Sequence, residues 1–76
     1  MFDRNVLINF LNEYLGYSKQ NDARIFFHQA FGAISVSMAM AYAKGDTAEE
    51  AEIADLWNND YRHRFEELIY KGVTEQ

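Results

Sequence analysis

Asp60, His63 and Glu67 are the side chains of this 76-residue chain whose types and spacing could do chemistry together. Steps of three and four put them on one face of a helix, where two carboxylates and an imidazole can converge on a metal ion. They make only part of a site, since a full hydrolase-like centre needs carboxylates or histidines from another helix or subunit. Arg62, Arg64 and Glu66 surround them, and the same pattern describes a solvated helix face laced with ion pairs. The other histidine, His28, sits in an apolar stretch with Ser35 seven residues on. It reads as a packed or interface histidine rather than a general base. Ser18, Ser35, Ser37 and Thr47 lie in no nucleophile elbow, and the chain has no glycine-rich phosphate loop. With no cysteine, neither a disulfide framework nor a thiolate zinc site is available.

Glu49, Glu52 and Asp55 repeat every third residue. They resemble one half of the ExxE…ExxD pattern of the all-α nucleoside triphosphate pyrophosphatases, which hold magnesium between helices. The second half is missing, because Glu66 and Glu67 are followed three residues later by Ile69 and Tyr70. The likeness covers a few residues and assigns no family. Compensation of a helix dipole and solubility account for the three carboxylates.

The elements that would carry these residues are legible as helices. Between Arg24 and Lys44 lie nineteen residues without a formal charge, IFFHQAFGAISVSMAMAYA, a quarter of the chain. A helix that is apolar on nearly every side has to be surrounded. Phe27, Phe31, Ile34, Met38 and Tyr42 recur at steps of four, three, four and four, an inward stripe. Ile25, Phe26, Val36 and Met40 form a second apolar patch. Between the patches run His28, Gly32, Ser35 and Ala39, a line of small residues that would let another helix approach closely. That helix is either the first helix of the same chain or a helix of a second copy. Large and small residues also alternate from Ile34 to Tyr42 as in a strand, but Ala and Met favour helix.

Gly16, Gly45 and Gly72 each follow a helical pattern, at the position of a left-handed cap. A first helix is predicted over Asp3–Leu15, with Asp3 as N-cap, Phe2 stapled onto Leu7, and Val6, Leu7, Phe10, Leu11 and Tyr14 facing inward. Asn21 or Asp22 caps the central helix. Thr47 and Glu50 form a capping box for the third, whose stripe is Ile53, Trp57, Tyr61, Phe65 and Leu68. Those aromatics read as core rather than a ligand pocket, and Asn58-Asn59-Asp60 is the place where this helix would bend or break. Matched lengths and a short turn suggest an antiparallel hairpin of the second and third helices, partly covered by the shorter first one.

Composition sharpens the packing problem. Hydrophobic residues make up 49 % of the chain and aromatic residues 16 %, more than so short a domain readily hides, since one this size buries only about 60 % of its unfolded surface. The net charge of −5 is uneven. Residues 1–45 hold four basic and three acidic side chains (+1), and residues 46–76 hold three basic and nine acidic (−6). That balance argues against a nucleic-acid partner. The MFDRN start shows no basic region followed by an apolar run, and His28, Gln29 and Ser35 dilute the central stretch as a membrane span. The expectation is therefore a single all-α domain over 1–76, cytoplasmic, without cofactor, binding neither nucleic acid nor membrane. Three helices should assemble as a dimeric bundle through Phe27, His28, Phe31, Gly32, Ser35, Val36, Ala39 and Met40. Its function reads as a non-enzymatic adaptor or regulator acting through protein contacts. The alternative is a metal-binding or acidic-site enzyme using Asp60, His63 and Glu67.

Overall fold

The computed structural model describes residues 3–74, which form three helices with no strand among them. They are α1 (Arg4–Ser18), α2 (Ala23–Ala43) and a third built from α3 (Thr47–Asp55), a π-helical turn (Leu56–Tyr61) and α4 (Arg62–Thr74) in direct succession. The large–small alternation from Ile34 to Tyr42 thus belongs to a helix.

Each helix starts on an aspartate. Asp3 Oδ1 accepts the N–H groups of Asn5 and Val6 at 3.0 and 3.4 Å. Asp22 Oδ1 accepts that of Arg24 at 3.0 Å, while Asn21 turns back to donate to the Tyr17 carbonyl. For α3 the cap is Asp46, which accepts the Glu49 N–H at 2.9 Å. The N-cap therefore lies one residue before the predicted Thr47, and no reciprocal box forms, since the Asp46 N–H donates to the Ala41 carbonyl and the Glu49 carboxylate pairs with Lys44. A carboxylate is a charged acceptor and displaces the Thr47 hydroxyl at the helix start. The staple from Phe2 lies outside the described residues.

Of the three glycines expected to terminate helices, only Gly45 does so, with φ +76° in the left-handed region. Gly16 lies inside α1, which runs on to Ser18, and Gly72 lies inside α4. Ser18 is buried and donates to the Tyr14 carbonyl at 2.8 Å, so its hydroxyl stays satisfied within the added turn.

The core runs between the helices rather than around one of them. Leu7 and Leu11 of α1 and Ile53, Leu56, Trp57, Tyr61 and Phe65 of the third helix are buried. Two polar links tie α1 to the third helix: Tyr61 Oη donates to Asn12 Oδ1 at 2.8 Å, and Arg4 pairs with Glu52 at 3.3 Å. The inner line of α2 is not the predicted one. It consists of Ala23, Ala30, Ile34 and Ala41, with Ala30 0 % and Ala41 1 % exposed. Phe27 and Met38 are half-buried beside it, and Phe31 and Tyr42 are exposed. The reason is steric. A helix wedged between two others presents its smallest side chains at the closest approach and sends its large ones to the flanks. Thus Phe26 meets Tyr14 on the α1 side, and Phe27 meets Trp57 and Phe65 on the other.

The third helix does not break at Asn58-Asn59-Asp60; it widens. Ile53, Trp57, Tyr61 and Phe65 are spaced by four, and at 3.6 residues per turn three such steps would swing Phe65 roughly 120° away from Ile53. A π turn holds more residues per turn than an α turn. Placed at Leu56–Tyr61, it absorbs that drift and keeps all four side chains facing α1 and α2. The three polar residues ride on the outside of the turn, where Asn59 Nδ2 donates to Asp55 Oδ1.

Two stability outcomes follow from this arrangement. Asp46→Ala should cost about 1 kcal/mol and Thr47→Ala only a few tenths, measured by urea or thermal unfolding; the reverse order would return the cap to Thr47. Ala30→Leu should cost about 1–3 kcal/mol by overpacking the α2 crossing.

Candidate interaction surface

The side of α2 opposite the alanine line has no cover among the described residues. Ile25, Gly32 and Ala39 recur every seven residues along its centre, and Val36 and Ala43 repeat the spacing beside them. All five are exposed, as are His28, Gln29, Ser35 and Met40 around them. Val36 and Met40, at 60 and 62 % exposure, are large apolar groups standing in water. A Cβ built on Gly32 meets nothing within 4 Å. Of the eight residues predicted as an interface, seven lie on this face or its edge, and Phe27 sits half-buried below its rim.

Packing of the small-residue line against α1 is therefore not what the chain does. Helix α1 docks on the flank carrying Phe26 and Ser37, about a third of a turn or more away from Gly32. Sequence reasoning placed Tyr42 in the core and overlooked Ala43. The seven-residue repeat from Ile25 through Gly32 to Ala39 is the signal that would have located the centre of the face.

Both ends of the face are closed by ion pairs. At one end the Arg24 guanidinium pairs with its neighbour Asp22 at 3.0 Å, and at the other Lys44 pairs with Glu49 at 3.0 Å. Hydrogen bonding from Arg24, first through its side chain and then its backbone N–H, holds the Asp22 carboxyl below its usual range. The N-cap it provides is therefore present above the ordinary carboxylate pKa and is lost only as the pH falls through that lowered value. Nearby, Tyr17 donates to Glu13, and this bond and the Glu13 charge push the phenol up. Between the two paired ends the face carries no formal charge.

The proposed ligands on the third helix are placed differently. Asp60 belongs to the π turn, while His63 and Glu67 belong to α4, and all three are exposed. The widened turn alters the regular spacing that put Asp60 in line with the others. Among the described residues, no three His, Cys, Asp or Glu side chains are grouped so as to hold a metal ion. His63 and Glu67 instead line an open groove of about 850 Å³ between α2 and α4, with His28, Phe27, Ile69 and Tyr70. Spacing along the chain could not reveal that the two histidines share it.

Among the described residues α2 is long and apolar enough to cross a membrane, by length and composition only, and most of its apolar stretch lies outside the core. No protein-family model matches the chain, and comparison with curated proteins and with solved structures gives no match either.

Calorimetric titration with zinc, manganese or magnesium should give no saturable heat. Saturable binding that is lost in His63→Ala would instead establish the α4 residues as ligands.

Proposed function

We propose that this chain is a self-associating, non-enzymatic helical module. Two copies pack α2 against α2 into a larger bundle, and each copy contributes an antiparallel hairpin of its second and third helices. The observation carrying this reading is the uncovered face of α2, with Gly32 at its centre and Val36 and Met40 standing beside it. Small residues at seven-residue spacing let two helix backbones come close, and the large residues on either side close over the seam.

Shape supports the same reading. The chain is a rod of 45 × 17 × 17 Å with a radius of gyration of 13.2 Å, against about 11.4 Å for a compact domain of this length. A bilayer is the less suitable cover. His28, Gln29 and Ser35 lie on the face itself, and unpaired polar groups of this kind are costly in hydrocarbon. The exposed sides of α1 and α4 carry Asn9, Glu13, Arg62 and Glu66.

In this reading the assembled core is structural, and the acidic third helix, which carries most of the negative charge, is the surface displayed to other proteins in the cytoplasm. The module acts as an adaptor or regulator and needs no cofactor.

Gly32→Leu tests the seam without disturbing the single chain. The added side chain has open space in one copy and raises helix propensity by roughly 0.6–1 kcal/mol. Light scattering and sedimentation equilibrium should show a dimer for the unaltered chain and at least a tenfold weaker dimer for the variant, with no loss of monomer stability. A wild-type chain that stays monomeric at high micromolar concentration overturns the proposal. So does a chain that floats with lipid vesicles, which would make the bilayer the cover of α2.

A further inference from the structure

The uncovered face of α2 is laid out evenly about Gly32. Ile25 and Ala39 lie seven residues to either side of it along the central line. His28 and Ser35, four residues before and three after, fall on one flank of that line. Gln29 and Val36, three before and four after, fall on the other, with Met40 beyond them. The flanks have different neighbours. His28 borders the groove shared with α4, and Met40 borders an open groove of about 510 Å³ shared with Val6 and Phe10 of α1. All these α2 residues are exposed, and Ile25, like Val36 and Met40, keeps more than half of its surface in water.

We infer that the two copies run antiparallel about a twofold axis beside Gly32, and that His28 of each hydrogen-bonds Ser35 of the other. The inference rests on the self-association reading and adds the direction and register of packing. A twofold axis lying across α2 exchanges its ends and keeps its flanks. Ile25 of one copy then meets Ala39 of the other, and Gly32 meets Gly32. The seam is narrowest at the axis and opens equally toward both ends, as two crossing helices do. Polar and apolar groups sort in the same operation. On one flank the His28 imidazole faces the Ser35 hydroxyl of the other copy, a donor and acceptor pair; on the other flank Met40 covers Ile25. A twofold axis along α2 keeps heights and exchanges flanks instead. Ile25 then stacks on Ile25 and Ala39 on Ala39, which wedges one end open, and Ser35 is set against Val36. Antiparallel packing also opposes the two α2 macrodipoles, each N-terminus lying beside the other's C-terminus.

The chain has no cysteine, so single introduced thiols report the direction. Ile25→Cys and Ala39→Cys alter exposed side chains, and circular dichroism should show both variants as helical as the unaltered chain. In the antiparallel dimer the two position-25 Cα atoms stand about 21 Å apart, far beyond the ~7 Å limit of a disulfide, while positions 25 and 39 meet. In a glutathione redox buffer an equimolar mixture of the two variants should give roughly tenfold more mixed disulfide than either homodisulfide, read by mass. Ser35→Ala and His28→Ala should each weaken the dimer about tenfold, because the axis removes two hydrogen bonds at once, and the double variant should lose little more than either alone. A dimer in which Ile25→Cys links to itself overturns the inference and leaves self-association standing. So does a dimer in which no disulfide forms, or in which the two alanine substitutions add. A chain that stays monomeric by light scattering removes the proposal beneath it as well.

Discussion

Close approach of α2 to its two neighbours is the constraint on which the rest of the molecule depends. Ala30 and Ala41 are fully buried on the side of α2 that faces its neighbours, and side chains this small let helices pack closely. Ile34 is the one large side chain on the inner line, and the phenylalanines and methionines lie sideways or outward. Phe26 goes to the α1 side and Phe27 to the third-helix side, each into an aromatic contact. Residues beyond the flanks are left in water, and the uncovered face is the direct consequence of a small-residue core.

The π turn answers to the same constraint. The third helix must keep Ile53, Trp57, Tyr61 and Phe65 directed at the core over about three turns, although their spacing drifts on an ordinary α-helix. Widening one turn corrects the drift where Asn58, Asn59 and Asp60 are most tolerant of it. Tyr61, brought inward by that correction, reaches Asn12 and ties the third helix to α1. Capping aspartates and the ion pairs at both ends of α2 then fix the chain reversals. The surface between those pairs carries no formal charge and mixes apolar side chains with His28, Gln29 and Ser35.

Much of this was legible in the sequence, in unequal measure. The existence of three helices, the Asp3 cap, a cap at Asn21 or Asp22, the left-handed Gly45 and the inward set from Ile53 to Phe65 were all readable, because each rests on local chemistry or a strong period. Seven of the eight residues expected at an interface are exposed on the outer side of α2 or at its edge, a statement about exposure alone. The inward side of α2 was misread because hydrophobic patterns weight large residues, while the packing selected small ones. Gly16 and Gly72 read as terminators from local pattern alone, yet glycine is tolerated in a helix when packing supplies the stability that propensity withholds.

By itself the sequence determined the helical class, the turn at Gly45 and the excess of apolar surface, since composition, caps and periodicity act over a few residues at a time. Only the tertiary structure decided which side of α2 is buried, since a helix apolar all round carries no preference of its own and takes its inner face from the width of the gap it fills. It also decided that Trp57 packs against Phe31, and that His28 and His63 share a groove, because those meetings join residues about thirty positions apart that no local spacing relates.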